Sequence, residues 1–389
     1  MIRKCLCVTY FLRSQKGGIQ AYLRYLKKEL EKNNWEVDLL FLDDVIPVAV
    51  LRGRGWMAEI FRKFSPLQGI FDRQRIFATQ SLLKKLAEAL EKKIEIKKPD
   101  IVHVQDAYAG FAALPILQKN KIPLVVTNHG PIIREGEFGP LYRQFVESME
   151  KTTYQNAKAI ILVGKHLESY VLPKSSPRVP YFVIHNAIDI ASFLAKSQKE
   201  YPGLVKNYIL VVARLDPEKG VDIALKAFPK VIEKYPEFNL VIVGDGKLKK
   251  ELKKLAAKLG IINRVHFLGW VLPNDVPSIY RKAKIIWITS KPLGNIQEPL
   301  PIVALESLAS GKPIISSNTG GLAEVFCKGG GILIPSNNPE LLSEATLKIL
   351  NDDKLAKEVS QEAQKIAREY YGVNSWIQKV LEIYNSVLK

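Results

Sequence analysis

The chain has 389 residues, 47% hydrophobic and 25% charged, which indicates a globular protein of two or three domains rather than a disordered or fibrous one. Its formal net charge of +18 favours anionic partners (nucleic acid, acidic lipid surfaces or phosphorylated small molecules), or else reflects a surface rich in lysine and glutamate. Three cysteines make no disulfide framework and indicate a reducing, cytoplasmic compartment, and no apolar run approaches the roughly 20 residues of a membrane span.

Short runs rich in β-branched residues alternate with amphipathic stretches, and this alternation predicts parallel sheets covered by helices. Six strands are predicted in the first half, at residues 4–9, 36–41, 101–104, 124–127, 159–163 and 181–184. Six more are predicted in the second half, at residues 208–213, 239–243, 265–268, 285–289, 313–316 and 331–334. Predicted helices include residues 19–32, 81–93, 221–234, 247–259, 302–310 and 374–388.

We therefore predict an α/β protein with two doubly wound, Rossmann-like parallel-sheet domains. The polar stretch at residues 189–206 contains proline and glycine and marks the boundary. The predicted domains are residues 1–195 and 205–372, followed by a terminal helix at 373–389. Because doubly wound sheets bind ligands beyond the carboxyl ends of their strands, the active site is expected in a cleft between the two domains.

The segment Val-Ala-Arg-Leu-Asp-Pro-Glu-Lys-Gly, at residues 212–220, carries two basic side chains just after a predicted strand. Arg214 offers a planar fork for phosphate oxygens and Lys219 offers a point charge, so the segment suits a diphosphate. The alternative is a surface loop in which Arg214 forms an ordinary salt bridge with Asp216 or Glu218.

Two carboxylates flank an apolar run in the segment EPLPIVALESLASG, at residues 298–311. Pro301 suits the first turn of a helix that ends at Gly311, which puts Glu298 in the preceding loop and Glu306 inside the helix. The free N–H groups of the helix start form an anion site, around which the carboxylates could bind sugar hydroxyls. The alternative is that Glu306 is a buried residue paired with a lysine.

Three weaker signals also follow predicted strands. Gly17 and Gly18 separate the first strand from a helix and let backbone amides face a phosphate or sugar. Gly244 lies in a Val-Gly-Asp-Gly turn, where glycine allows close approach of a ligand. His129 follows the fourth strand and precedes a Gly-Pro pair, which favours a functional over a structural histidine.

Taken in order, six motifs resemble those of the retaining glycosyltransferases of family GT4, which have the GT-B fold. They are the Gly-Gly pair, Ala-Arg-Leu-x3-Lys-Gly, Val-Gly-Asp-Gly, Phe-Leu-Gly-Trp, Glu-x7-Glu and Asn-Thr-Gly-Gly-x2-Glu. The resemblance spans nearly the whole chain and is strongest over residues 208–325. It implies that the C-terminal domain binds a nucleotide-sugar donor, that the N-terminal domain binds the acceptor, and that the last helix crosses back to the N-terminal domain.

The resemblance also implies a role for each motif residue. Arg214 and Lys219 would bind the donor diphosphate. Glu298 would contact the donor sugar, and Glu306 would bind the ribose hydroxyls. His129 would lie near the reacting carbon or the O6 of the sugar. The implied catalytic residues are His129, Arg214, Lys219 and Glu298, and the further donor contacts are Gly17, Gly18, Gly244, Leu300, Ile302 and Glu306.

The chain departs from the family pattern at two places that bear on the site. The family has Glu-Gly-Phe-Gly where this chain has Glu-Pro-Leu-Pro at residues 298–301, so the amides of Leu300 and Ile302 remain as donors. The family often has His-x-His where this chain has His-Val-Gln at residues 103–105, which predicts a different acceptor contact.

The expected reaction is transfer of a hexose, with retention, from a UDP- or GDP-sugar to a hydroxyl of a glycan or lipid-linked acceptor. The chain contains no Asp-x-Asp, so we expect no essential metal and no cofactor besides the donor. Two alternatives share the fold, namely a non-catalytic nucleotide-sugar binder and a sugar-nucleotide epimerase. No aromatic platform or groove-binding helix supports a nucleic-acid partner.

The segment at residues 52–75 mixes six arginines or lysines with large apolar residues. This pattern is typical of an element that contacts an anionic membrane surface or a lipid phosphate. The alternative is an ordinary helix that turns its aromatic side chains inward and its charges outward. The expected location is therefore the cytoplasm, with a possible contact at the inner face of the cell membrane.

Overall fold

A computed structural model of the chain describes residues 2–13, 18–47, 68–131, 138–196, 198, 200–292 and 301–389. The chain divides into two compact units. The first comprises Met1–His185 and Trp376–Lys389, and the second comprises Asn186–Ser375.

The first unit is built on a parallel sheet of six strands in the order β2-β1-β3-β4-β5-β6. The strands are β1 (Arg3–Thr9), β2 (Trp35–Phe41), β3 (Ile101–Val104), β4 (Leu124–Asn128), β5 (Ala159–Leu162) and β6 (Tyr181–Val183). Every position of β3, β4 and β5 is buried, because the central strands of a parallel sheet are covered on both faces.

The helices of the first unit are α1 (Gly18–Lys32), α2 (Gln68–Lys97), α3 (Ala107–Asn120), α4 (Pro140–Asn156) and α5 (Glu168–Val171). The side chain of Asp106 caps α3 by accepting a hydrogen bond from the backbone N–H of Ala109. Asp72, a buried residue of α2, accepts hydrogen bonds from the backbone N–H groups of Gly139 and Tyr142 at the start of α4. A side chain of one helix therefore fixes where another begins.

The second unit is also built on six parallel strands, in the order β12-β11-β10-β7-β8-β9. They are β7 (Tyr208–Val212), β8 (Asn239–Val243), β9 (Val265–Gly269), β10 (Ile285–Ile288), β11 (Ile314–Asn318) and β12 (Ile332–Pro335). Counted within the unit, this is the 3-2-1-4-5-6 order of doubly wound nucleotide-binding folds. The order reverses between β7 and β10, and such folds bind ligands at the carboxyl ends of the strands at this point.

Nine helices complete the described part of the chain, eight of them within the second unit. These eight are α6 (Ile190–Lys196), α7 (Val221–Lys234), α8 (Lys249–Lys258), α9 (Val276–Lys282), α10 (Ile302–Ser310), α11 (Gly320–Phe326), α12 (Pro339–Asn351) and α13 (Asp353–Tyr370). The last helix, α14 (Val373–Val387), belongs to the first unit from Trp376 onward. There the Trp376 ring packs edge-on against Tyr22, with 5.2 Å between ring centroids.

The predicted α/β class with two doubly wound parallel sheets is confirmed, and all twelve predicted strands are present with ends shifted by at most two residues. The helix predicted at residues 81–93 is wrong in length, because α2 begins at Gln68 and ends at Lys97. Residues 68–80 interleave basic and apolar side chains without a clear apolar stripe, and the residues they bury include the polar Asp72 and Thr79, so the sequence pattern did not mark them as a helix. No helix in the described ranges combines the length and apolar character of a membrane span.

Candidate active site

Arg214 lies just after β7, beside the point where the strand order of the second unit reverses. Its Nη1 lies 2.7 Å from Asp216 Oδ2, and its Nη2 donates a hydrogen bond to Glu218 Oε1 at 2.9 Å. The side chain of Arg214 is 49% exposed, whereas those of its partners are 15% and 14% exposed. The salt bridges of the alternative interpretation are therefore present. They orient the guanidinium, and a guanidinium has five N–H donors, so this orientation leaves capacity for a further anion.

Lys219 ends a short 3-10 turn, Pro217–Lys219, that leads into α7. Gly220 follows with φ 59°, and a Cβ there would collide with the carbonyl oxygen of Thr289, just after β10. The Thr289 hydroxyl in turn donates a hydrogen bond to the Lys219 carbonyl at 3.0 Å. The turn that contains Lys219 and Gly220 therefore packs directly against Thr289, the residue after β10.

Gly244 lies where the packing leaves no room for a side chain. Its φ is 131°, and a Cβ would collide with the carbonyl oxygen of Ala213, in the turn after β7. The N–H of Leu215 donates to the carbonyl of Asp245 at 3.0 Å, which ties the same two turns together. The predicted contact of Gly244 with the donor stays a prediction.

Helix α10 begins and ends where the sequence predicted. Pro301 is its N-cap in extended conformation, with φ −77°, and Gly311 ends it with φ 63°. Pro301 offers no side-chain cap hydrogen bond, so within the described ranges the N-cap residue leaves the N–H groups at the start of the helix, where the dipole is positive, without a capping side chain. Glu298 and Leu300 lie outside the described residues, as does Gly17 in the first unit.

Glu306 lies about one turn inside α10, which begins at Ile302. Its Oε2 accepts a hydrogen bond from the hydroxyl of the buried Tyr280 at 3.2 Å. Burial raises the pKa of Glu306 to about 7, and the hydrogen bond from Tyr280 offsets this only in part. The alternative of a lysine partner is wrong within the described ranges, where no Lys or Arg forms an ion pair with Glu306.

His129 lies in the first unit, directly after β4, and Gly18 is the first residue of α1. The turn after β4 is shaped by Asn128, whose side chain accepts from the N–H of Gly130 at 2.9 Å and donates to the hydroxyl of Tyr154 at 2.7 Å. These contacts present His129 at the carboxyl end of the sheet, as predicted from its position after a strand.

The imidazole of His129 is a hydrogen-bond acceptor at neutral pH. Burial lowers its pKa to about 3, so the ring is uncharged. Its Nε2 lies 2.9 Å from Oε1 of Gln105, and because an amide oxygen carries no proton, Nε2 must donate. Nδ1 is then unprotonated and suits a hydroxyl donor, not an anionic oxygen.

Sequence reasoning missed the partners of His129. Gln105 follows β3, the neighbour of β4, and the ring of Tyr22 from α1 packs edge-on against His129 with 4.8 Å between centroids. The buried His103 bonds the hydroxyls of Tyr384 at 2.6 Å and of Thr127 at 2.7 Å. The adjacency of β3 and β4 was the available signal, because side chains after neighbouring parallel strands meet at one edge.

Two family models match the chain in succession. One described as "Glycosyltransferase Family 4" matches residues 16–192, and one described as "Glycosyl transferases group 1" matches residues 195–366. An uncharacterised glycosyltransferase of Haemophilus influenzae is 31% identical over 311 residues, which cover 79% of this chain and 80% of that protein. Another, from Methanocaldococcus jannaschii, is 26% identical over 96% of this chain and 95% of its own length.

Solved structures share the fold over the full length. HepE of Anabaena, in complex with UDP-glucose, aligns with a TM-score of 0.72 and 19% identity over 98% of this chain and 99% of its own. Sucrose-phosphate synthase of Thermosynechococcus elongatus aligns with a TM-score of 0.76 and 18% identity, over 99% of both chains. At such identities these structures establish the fold alone.

Proposed function

This chain belongs to the group 1 glycosyltransferases of family 4, enzymes with the GT-B fold, and we propose that it is a retaining hexosyltransferase. The donor would be a nucleoside-diphosphate hexose, with UDP or GDP as the leaving group. The acceptor would be a hydroxyl of a glycan or of a lipid-linked molecule. Retention is proposed from the family resemblance.

The observation that carries the proposal is the arrangement around the strand reversal of the second unit. Arg214 and Lys219 lie on a rigid turn after β7, against the segment that leaves β10. Helix α10 follows β10 in the chain and would add the backbone amide of Ile302 and the carboxylate of Glu306. Cationic groups and a helix start suit a diphosphate, and a carboxylate suits a ribose diol. The UDP-glucose complex of HepE, which shares the fold, supports a donor of this class.

The chemistry proposed for these residues is electrostatic. As the bond to the anomeric carbon breaks, negative charge grows on the leaving diphosphate, and Arg214, Lys219 and the start of α10 would stabilise it. A cationic group that is already oriented stabilises this charge with little reorganisation. The ion pairs of Arg214 with Asp216 and Glu218 orient its guanidinium in this way. We propose that no metal or other cofactor is needed, and that neutral His129 accepts a hydrogen bond from a hydroxyl of the sugar.

The donor can be identified by a thermal-shift screen of the wild-type protein against UDP-, GDP-, ADP- and dTDP-sugars in the presence of EDTA. We expect one donor to raise the unfolding temperature, because ligand bound only to the folded state stabilises it. That donor is then supplied with candidate acceptors, and the anomeric configuration of the product is read by NMR. Stabilisation without any transfer would favour a non-catalytic binder, and conversion of the donor without an acceptor would favour an epimerase.

Contact with an anionic membrane stays a prediction. Residues 48–67 lie outside the described ranges, and residues 68–75 are the first turns of α2, where Arg75 stacks over the Phe138 ring at 5.1 Å. If the contact exists, liposomes with anionic lipid should sediment the protein at low salt and release it at high salt. Charge reversal at Arg52 and Arg54 should weaken sedimentation, whereas the same change at the exposed Arg368 should not. Absence of sedimentation at low salt would contradict the prediction.

A further inference from the structure

Gln105 is a polar residue in a place that ordinarily suits an apolar one. It follows β3 and is 1% exposed. Its Oε1 accepts the hydrogen bond from His129, but its Nε2 has no hydrogen-bond partner among the described residues. A buried N–H group without an acceptor costs free energy, so the amide is retained against a local penalty.

A second unpaired donor belongs to the same group of side chains. The indole Nε1 of Trp376, a residue 4% exposed, also lacks an acceptor among the described residues. Trp376 packs edge-on against Tyr22, and Tyr22 packs edge-on against His129, which bonds Gln105. The two donors are connected through Tyr22 and His129, and each would be satisfied by an oxygen of a ligand or of ordered water.

The charged and titratable groups near His129 do not compete with Gln105 in deciding which ring nitrogen of His129 carries the proton. Tyr22 on α1 and His103 on β3 are both uncharged, since burial raises the pKa of Tyr22 and lowers that of His103 to about 3. Asp106, beside Gln105, already accepts hydrogen bonds from the Thr9 hydroxyl and the N–H groups of Tyr10 and Ala109.

We propose that Gln105 is a positioning residue that holds His129 with its proton on Nε2. Nδ1 of His129 then accepts a hydrogen bond from a hydroxyl of the transferred hexose. Gln105 also offers its own amide N–H to an oxygen of the bound sugar. The inference rests on the proposed function for the identity of the ligand. The Gln105–His129 pair itself is a property of the free protein.

An amide suits this task better than the other side chains of similar size. A carboxylate at the same place would accept the same hydrogen bond but would attract a second proton to His129, which blocks Nδ1. An imidazole can donate or accept, so it would not select one tautomer of His129. The amide oxygen accepts only, carries no charge and therefore selects the neutral ring with one free acceptor.

The test uses full-length protein labelled with 15N-histidine, in the wild type and in the variants Gln105→Leu and Gln105→Glu. We expect the His129 ring of the wild type to show the tautomer with the proton on Nε2, without titration in the neutral range. In Gln105→Leu the tautomers should mix, and kcat/KM for transfer should fall by about tenfold, the usual worth of one hydrogen bond. In Gln105→Glu His129 should titrate, and the ratio of variant to wild-type rate should fall as the pH is lowered.

The variant Gln118→Leu is the matched control, because Gln118 is an exposed residue of α3. It should leave the His129 spectrum and the transfer rate unchanged, and unfolding temperatures check that all variants fold. A wild-type His129 with its proton on Nδ1, or a Gln105→Leu protein with unchanged tautomer and kcat/KM, overturns the inference. If instead the wild type transfers no sugar from any donor while the spectrum shows the expected pair, the proposed function has failed and the pairing stands.

Discussion

Replacing Arg214 by alanine is expected to abolish sugar transfer while the fold survives. The guanidinium is the cationic group that two carboxylates orient beside the strand reversal, and it would meet the charge that develops on the leaving diphosphate. Removing one such preorganised donor costs about 100- to 1,000-fold in rate, and the full positive charge lost here places the expected effect at or above that range. Stability should change little, because ion pairs of a half-exposed arginine contribute about 0–1 kcal/mol.

The measurement is the transfer rate with the donor found in the thermal-shift screen, together with the unfolding temperature with and without that donor. Arg214→Ala should unfold near the wild-type temperature without donor and show little or no shift with it. Arg214→Lys should recover only part of the activity, since an ammonium cannot keep both carboxylates and present a planar fork. The exposed Arg368→Ala on α13 is the control and should behave as the wild type. Glu298→Ala is expected to be equally inactive, and near-normal transfer by both Arg214→Ala and Glu298→Ala would contradict the assignment.

Replacing Glu306 by glutamine is expected to stabilise the free protein at alkaline pH and to weaken donor binding. Burial raises the pKa of Glu306 to about 7, well above its ordinary value. Between the ordinary pKa and about 7, the folded protein keeps a proton on Glu306 that the unfolded chain has released. The free energy of unfolding therefore falls as the pH rises through this range, and the contribution is lost once the pH passes about 7. Glutamine removes that loss and should gain about 1–2 kcal/mol at about pH 8.

Donor binding should respond in the opposite direction. Ribose hydroxyls donate most strongly to an ionised carboxylate, so the affinity of the wild type for the donor should rise as the pH passes upward through about 7. Glu306→Gln should lose this rise and bind the donor about tenfold more weakly at about pH 8. A stabilised protein with a weaker ligand site is the trade-off expected when a partly buried, desolvated carboxylate is kept for binding.

Chemical denaturation and donor titration at about pH 6 and about pH 8 check both halves of this prediction. Glu358→Gln changes the same functional group on the exposed face of α13 and should alter neither quantity. A wild type whose stability is flat across this window would contradict the raised pKa. A Glu306→Gln protein that binds the donor as tightly as the wild type at both pH values would remove Glu306 from the donor site.

The helix at residues 302–310 was predictable to the residue, whereas α2 was not. Pro301 and Gly311 are local signals, because a fixed φ before a helix and a positive φ after it act within one or two residues. Asp72, in the part of α2 that was not predicted, is buried because it binds the start of α4, some 67 residues later in the chain. A contact of that kind leaves no periodic pattern in the sequence around it.

The positions of the site residues were predictable in part. His129, Arg214 and Lys219 each follow a strand. Because the strands were recognisable from their β-branched runs, the sequence placed these three residues at the carboxyl ends of the sheets. Their partners were not predictable. The sequence left open whether Arg214 forms salt bridges or binds phosphate, and the structure shows that it pairs with Asp216 and Glu218 in the free protein.

The amino-acid sequence by itself determined the α/β class, the twelve strands and the family, because these depend on residue order and local conformational preference. Only the tertiary structure decided the chemistry of each group: Glu306 meets Tyr280 and has a raised pKa, while His129 meets Gln105 and stays neutral. The physical reason is that protonation and tautomer depend on desolvation and on hydrogen bonds across distances of about 3 Å. Packing brings those partners together from strands and helices 24 to 26 residues apart in the chain.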